Sequence, residues 1–223
     1  MRLPWIIAAG VAAAAYSPPA RRWYLTWGAT SEEAAGSLPG DELLAEPALQ
    51  STRAITIDAP PTAVWPWLVQ MGSGRGGAYT YDWIENLFGL DMHSADQIVP
   101  QFQQLAVGDV LPLGPDGPGV RVAIFRPATT LSFRSEDGNW VWTFHLSPDG
   151  LGTRLISRNR IAAPAASWAN RMATRFVMEP GSLIMERRML LGIKERVERT
   201  TSPGESTVRL ELDIARVEGA SRE

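Results

Sequence analysis

Residues 51–94, STRAITIDAPPTAVWPWLVQMGSGRGGAYTYDWIENLFGLDMHS, decide the fold that this sequence predicts. Apolar and polar residues alternate over residues 53–57, which is the pattern of a half-buried β-strand. The four residues Asp58–Pro61 end this strand and begin a helix, because proline is accepted in a first helical turn. A glycine-rich turn over residues 72–77 ends the helix, and residues 81–87 predict a second short helix that stops at a glycine. The predicted order is therefore strand, helix, turn, helix.

The remainder of the sequence predicts a run of strands and then one long helix. Turn residues separate most of the strands, and short turns between consecutive strands make a sheet antiparallel. The long helix is predicted over residues 180–199 and would be about 30 Å long, enough to cross a whole sheet. We predict an α+β fold in which a curved antiparallel sheet wraps around this C-terminal helix. The predicted strands after the glycine turn are residues 107–113, 120–125, 130–134, 139–147 and 153–161.

Apolar helix faces enclose the predicted interior: the long C-terminal helix covers the sheet, and the two short helices close one end. In the second short helix, we expect Trp83 and Leu87 to point inward. In the C-terminal helix, Met185 and Met189 begin a stripe that repeats every four residues, with most charged residues lying off it. We expect Glu179 to cap this helix ahead of a proline in its first turn.

Composition excludes several classes of function. The 223 residues are 45% hydrophobic with a net charge of −3, so the chain is globular and lacks the basic stripe of a nucleic-acid-binding protein. The absence of cysteine excludes disulfides, zinc–thiolate sites and cysteine nucleophiles. The only histidines are His93 and His145, too few for an all-histidine metal site. We therefore expect no metal, no cofactor and no nucleic-acid partner.

The sequence begins with an uncharged apolar run over residues 3–16. A full membrane span needs roughly 20 residues, and Pro18 with Pro19 would break a helix that extended further. The run is compatible with a short membrane anchor, with a cleaved signal peptide, or with an amphiphilic arm or misassigned start. Trp23 is among the aromatic residues that flank it, as interfacial anchors would. We expect membrane association with the domain in the cytoplasm, or secretion after cleavage as the alternative.

Four segments follow from these patterns. Residues 1–22 are the apolar N-terminal segment, and residues 23–50 are a connector that carries a turn and a short helix. Residues 51–200 form the folded domain. Residues 201–223 are a tail, which is interpreted either as an extra edge strand, because apolar residues alternate there, or as a disordered end.

The sequence resembles the SRPBCC superfamily, which includes START-like, polyketide-cyclase-like and birch-pollen-allergen-like proteins. The segments ITIDAPPTAVWPWLVQMG (residues 55–72) and MERRMLLGIKERVE (residues 185–198) carry the resemblance. WGATSEEAAGSLPGDELL and GRGGAYTYDWIENLFGLDMHSADQIVP are similar to an uncharacterised bacterial branch of it. Together the similarity covers roughly residues 25–200. It implies a helix-grip fold and a hydrophobic small molecule in a central cavity, which is a fold-level analogy for function.

Candidate ligand contacts come from the glycine turn, the second helix, the fourth long strand and the C-terminal helix. The turn GSGRGG matches GxGxxG, but it follows a helix in a chain without βαβ alternation, so we do not assign a nucleotide to it. Arg75 is expected to pair with an anionic ligand group or with Asp82, or to be solvated. The predicted ligand-binding residues are Arg75, Tyr79, Tyr81, Asp82, His93, Trp140, Trp142, Phe144, Met185 and Met189.

These patterns lead to one main functional hypothesis and two alternatives. The protein is expected to bind a lipid-like or polyketide-like molecule as a carrier or sensor, because apolar and aromatic residues line the predicted pocket. No serine lies in a GxSxG elbow, and we assign no catalytic residue. One alternative is a cyclase or dehydratase that uses Arg75, Tyr81, Asp82 or His93. The other is an interaction module that docks a protein partner. The sequence does not predict an oligomeric state.

Overall fold

The structure of the protein is a computed structural model that describes residues 16–115, 119–162 and 168–201. The apolar run predicted over residues 3–16 lies outside the described residues, apart from its last residue. The predicted tail lies outside them from residue 202 onward. Among the described helices, none is long and apolar enough to cross a membrane.

A six-stranded sheet forms the centre of the fold, and every neighbouring pair of strands is antiparallel, as predicted. The strand order is β1-β6-β5-β4-β3-β2, so the first strand pairs with the last. A β-bulge between Val122 and Ile124 shifts the register of β3 against β4, and bulges of this kind increase the bend and twist of a strand. The strands are β1 (Leu49–Ile57), β2 (Val110–Pro112), β3 (Gly119–Arg126), β4 (Thr130–Ser135), β5 (Trp140–Asp149) and β6 (Gly152–Ile161).

Helices lie against both faces of the sheet. The long helix α6 packs against β1 and α3, which confirms the predicted helix-grip architecture. A π-helix over Thr174–Met178 joins α5 to α6, and 3-10 turns occur at Asp41–Leu44 and Pro100–Phe102. The α-helices are α1 (Pro18–Leu25), α2 (Ser31–Ala35), α3 (Pro61–Val69), α4 (Asp82–Leu87), α5 (Trp168–Ala173) and α6 (Glu179–Thr201).

Proline residues lie at the start of two helices. Pro18 and Pro19 form the first turn of α1, and the preceding Ser17 is its extended N-cap, so no helix continues through this point, as predicted. Pro180 lies in the first turn of α6, close to the predicted start of this helix. The chain is helical on both sides of it, and the preceding π-helix is a local widening of the kind that relieves the clash of a proline with an earlier carbonyl. Glu179 is therefore not a cap, and its carboxylate binds Arg21 instead.

The main core lies between the inner face of the sheet and the helices α3 and α6. Side chains of β4 and β5 point into it from the sheet, and Trp67 and Leu68 close it from α3. Burying one such large apolar side chain stabilises a fold by about 1.5–3 kcal/mol. A smaller cluster of Tyr24, Leu25 and Leu183 attaches α1 to α6. The predicted apolar stripe of α6 is thus largely buried.

The orientation of α4 differs from the prediction. Trp83 and Leu87 are 69% and 76% exposed, whereas Glu85 is buried. The reason is local hydrogen bonding: Asp82 accepts from both the main-chain N–H and the hydroxyl of Ser94, and Asn86 binds the main chain of Met92. These bonds turn the polar face of α4 toward the protein and leave its apolar face outside.

Candidate functional site

The glycine turn positions Arg75 and Tyr79, and both side chains are bound to main-chain carbonyls. The Arg75 guanidinium donates to the carbonyl oxygens of Met71, Val69 and Phe102 at 2.9–3.1 Å. The expected pair with Asp82 is not formed between these two described residues. Arg75 therefore stabilises the turn, and its role in ligand binding stays a prediction.

Tyr79 is buried, and its hydroxyl donates to the Trp67 carbonyl at 2.9 Å. Burial raises the pKa of Tyr79 well above its ordinary value. Its backbone has φ of 60°, which is rare for a residue other than glycine. Gly192 of α6 lies directly against it: a Cβ at Gly192 would be 2.4 Å from the Tyr79 carbonyl oxygen. This part of the molecule is a close helix–turn contact.

Three more predicted ligand contacts lie on the α4 side of the molecule. Asp82 is engaged by Ser94, Tyr81 is 37% exposed at the start of α4, and His93 is largely exposed beside Asp91 at 3.0 Å. The structure does not place these groups together around a closed cavity. Nothing tests their ligand contacts, which stay predictions.

The predicted aromatic residues of β5 do form one wall. Trp140 and Trp142 stack with their ring centres 5.8 Å apart and their planes 16° from parallel. Trp142 also contacts Phe144 at 4.7 Å and Phe133 of β4 at 6.1 Å. The two phenylalanines are fully buried, whereas the two tryptophans are half-buried. Along β5, the inward side chains are therefore fully buried at Phe144 and only half-buried at Trp142 and Trp140, which form an accessible aromatic surface.

On α6, the two predicted methionines differ in burial. Met189 is 2% exposed and belongs to the main core, and Met185, one turn earlier, is half-buried. The start of the α6 stripe is thus less buried than its continuation at Met189. Met side chains adapt to the shape of what they contact.

A buried polar cluster lies beside the tryptophans. Arg53 of β1 forms an ion pair with Glu186 of α6, and the two side chains are 0% and 8% exposed. Ser157 donates to Glu186 at 2.6 Å, and Asn159 donates to both of its oxygens at 3.3 Å. The indole N–H groups join the same network: one donates to Asn159 at 2.8 Å and the other to Ser157 at 3.0 Å. We call Arg53, Ser157, Asn159 and Glu186 the polar cluster.

The electrostatics of the polar cluster are set by its burial. Loss of water raises the pKa of Glu186, and the charge of Arg53 with the hydrogen bond from Ser157 partly offsets that rise. Arg53 is held from two further directions, by the Tyr24 carbonyl at 3.0 Å and the Ser182 hydroxyl at 2.9 Å. A carboxyl group in such surroundings can orient a polar ligand group or exchange a proton with one.

Prediction of the candidate site from sequence missed the polar cluster, although two signals for it exist. Arg53 precedes the inward residues Ile55 and Ile57 of β1 by two and four positions, so its side chain lies on the same face of the strand. Glu186 precedes Met189 by three residues and Ile193 by seven, so it belongs to the buried face of α6. Opposite charges on two apolar faces predict a buried ion pair.

A second arginine cluster covers the outer face of the sheet. Arg158 is 1% exposed and donates to Asp41 at 2.7 Å and to the carbonyls of Gly36 and Glu33. Arg160 also pairs with Asp41, at 3.4 Å. These bonds attach α2 and the following 3-10 turn to β6. All of these partners belong to the protein, so this cluster is structural.

Surface clefts occur on two sides of the molecule away from α6. One of about 320 Å³ lies over the outer arginine cluster, between residues 35–45 and β6. The other, of about 490 Å³, is lined by β3, the β4–β5 turn and residues 107–108. Neither cleft contains the stacked tryptophans or the polar cluster.

The antiparallel sheet with a long C-terminal helix on its inner face defines the helix-grip class. No protein-family model and no curated protein matches the sequence. Among solved structures, it is similar to the Aha1 dimer from Colwellia psychrerythraea, at 14% identity over 69% of this chain and 99% of that chain, with a TM-score of 0.39.

Two further solved structures are similar. A Polyketide_cyc-like protein from Corynebacterium glutamicum is 16% identical over 67% of this chain and 91% of that chain, with a TM-score of 0.37. The KanY protein is 16% identical over 67% of this chain and 97% of that chain, with a TM-score of 0.45. At these identities the similarity concerns the fold alone.

Proposed function

We propose that the protein binds an apolar small molecule with a flat or aromatic body, as a carrier or sensor, at the stacked tryptophans of β5. The observation that carries this proposal is the pair itself: Trp140 and Trp142 are half-buried beside the core, and their indole N–H groups are already satisfied. Their remaining free surface is apolar, and such surface favours an apolar or aromatic ligand.

The polar cluster supplies the second half of the proposed recognition. Asn159 and Ser157 lie within hydrogen-bond distance of both the indoles and Glu186. A hydroxyl, carbonyl or amide on an otherwise apolar ligand would meet the half-buried Asn159 here, next to the aromatic surface, whereas Ser157 and Glu186 are buried. A few polar groups in an apolar pocket fix ligand orientation. The lipid-like or polyketide-like ligand expected from the sequence fits this chemistry.

A titration with the apolar fluorophore N-phenyl-naphthylamine tests the proposal. Replacing Trp140 with leucine removes half of the stack, and we expect affinity to fall about tenfold, because an aromatic contact contributes about 0.5–1.5 kcal/mol beyond buried area. Trp83→Leu is the matched control, since Trp83 is 69% exposed on α4. The proposal fails if the probe does not bind, or if both variants weaken it equally while each remains folded by circular dichroism.

A cyclase or dehydratase is a second candidate, and one observation favours it. Glu186 is a buried carboxyl with a raised pKa that lies within hydrogen-bond distance of Ser157 and Asn159, next to the proposed ligand surface. Groups of this kind serve as general acids or bases. This version of the enzyme hypothesis uses Glu186 in place of the residues near α4. Glu186→Gln should then keep probe binding and abolish turnover in a substrate-fed assay, and retained turnover would exclude it.

A further inference from the structure

One end of the molecule exposes large apolar side chains on neighbouring helices. Trp168 is 73% exposed, Val177 is 65% exposed and Trp23 is 60% exposed. Residues 168, 172 and 176 follow one another at a spacing of four, so they share a side of the helical segment before α6. We call this surface the apolar end face; its residues are Trp23, Trp168, Met172, Phe176, Val177 and Met178.

The apolar N-terminal run leads directly into this face. Tyr16, the last residue of the run, packs edge-on against Phe176 with ring centres 4.7 Å apart, and its hydroxyl donates to the Phe176 carbonyl at 3.0 Å. The preceding residues 3–15 carry no charged side chain.

The charge around this face is opposite to that of the whole protein. No Asp or Glu precedes Glu32, and none occurs over residues 150–178, although the net charge of the chain is −3. The first acidic residue after the face, Glu179, is neutralised by Arg21 through two bonds of 2.8 Å. Arg22 is exposed on α1. The surroundings of the face are therefore basic.

We propose that the apolar end face docks on the surface of a membrane that contains anionic lipids. Exposed tryptophan and aliphatic side chains beside arginine are the composition of helices that lie in the headgroup region of a bilayer. Basic residues next to a membrane are attracted by anionic lipids. In this arrangement α1 and the π-helix lie along the bilayer surface. This proposal is independent of the ligand site.

The absence of cysteine allows a direct test with the full chain. Val177→Cys and, as a matched control, Leu151→Cys would each carry a polarity-sensitive nitrobenzoxadiazole dye. Leu151 is also apolar and 94% exposed, but it lies in the β5–β6 turn, next to β1's end and distant from the π-helix. Both proteins would be added to vesicles of phosphatidylcholine alone and of phosphatidylcholine with phosphatidylglycerol.

We expect the dye at residue 177 to shift its emission to shorter wavelength on anionic vesicles and to be quenched by lipids spin-labelled near the headgroup. The dye at residue 151 should keep its aqueous spectrum. The proposal is overturned if residue 177 stays aqueous on vesicles that bind the protein. It is also overturned if both dyes shift alike, or if residue 177 shifts without lipid as protein concentration rises, which would identify a second copy as the occupant. Circular dichroism verifies that both labelled proteins are folded.

Discussion

Removing Arg53 should reveal how much the buried ion pair contributes to the fold. Arg53→Met keeps an apolar body of similar length but leaves Glu186 without its cation. At pH 7, protonating a carboxyl with the ordinary pKa of 4.5 costs about 3.4 kcal/mol. Because Glu186 can take up a proton instead of staying charged, this cost is the upper limit of the penalty for losing its cation. The carbonyl of Tyr24, which loses the N–H donor of Arg53, adds about 1 kcal/mol. We expect a total loss of about 3–5 kcal/mol, the range measured for broken buried pairs.

The second substitution in this cycle is Glu186→Gln, which keeps the hydrogen-bonding capacity toward Ser157 and Asn159. Arg53→Met with Glu186→Gln should cost less than Arg53→Met alone, because no buried charge remains. The penalty of Arg53→Met should also shrink as pH falls from 7 toward 5, since protonating Glu186 becomes easier by about 1.4 kcal/mol per pH unit.

Urea unfolding followed by circular dichroism measures these free energies. Arg188→Met is the control on the same helix: Arg188 pairs with Glu195 at 3.1 Å at the surface, and its loss should change the free energy of unfolding by less than about 0.5 kcal/mol. The account of the polar cluster is refuted if Arg53→Met costs under about 1 kcal/mol, or if the double variant costs the sum of the two single ones.

Two further predictions concern α6 and α4. Gly192→Ala should destabilise the fold, because its Cβ would lie 2.4 Å from the Tyr79 carbonyl oxygen, whereas Gly181→Ala on the same helix meets nothing within 4 Å and should stabilise it by up to about 1 kcal/mol; equal thermal melting shifts would contradict this. Burial raises the pKa of Glu85, and one of its oxygens has no hydrogen-bond partner among the described residues. The folded protein then holds this proton at a pH where the unfolded chain has lost it, so Glu85 lowers stability as pH rises above about 4.5. Glu85→Gln should therefore gain about 1 kcal/mol relative to the unchanged protein between pH 4 and pH 7, and a gain that is independent of pH would contradict it.

Local patterns in the sequence were sufficient for most of the fold. Alternation and turn residues located the strands, but β2 is shorter than predicted, because the N–H of Gly108 binds Val122 and the Asp109 carboxylate binds the N–H of Ala106. Conversely, β1 begins at Leu49, since it pairs with β6 along its whole length. The extension of β1 depends on contacts distant in sequence, and the shortening of β2 depends on a distant contact together with a local turn; periodicity contains neither.

The candidate site was predicted only in part for the same reason. Trp140 and Trp142 followed from alternation along one strand. Arg53 and Glu186 are 133 residues apart, and although each lies on the apolar face of its own segment, neither segment identifies the other as its partner. The hydrogen bonds that turn α4, which Ser94 donates to Asp82, likewise connect residues that sequence patterns treat separately. Sequence therefore identified the aromatic wall, and only the fold showed which polar groups lie beside it.

Native mass spectrometry of the protein purified without detergent tests the central claim most directly. If the stacked tryptophans bind an apolar small molecule, the unchanged protein and Trp83→Leu should carry an organic adduct, and Trp140→Leu should carry much less of it. The mass of this adduct should correspond to a molecule with an apolar body and few polar groups. A protein without any adduct that also fails to bind added apolar molecules, or an adduct retained equally by Trp140→Leu, would contradict the account.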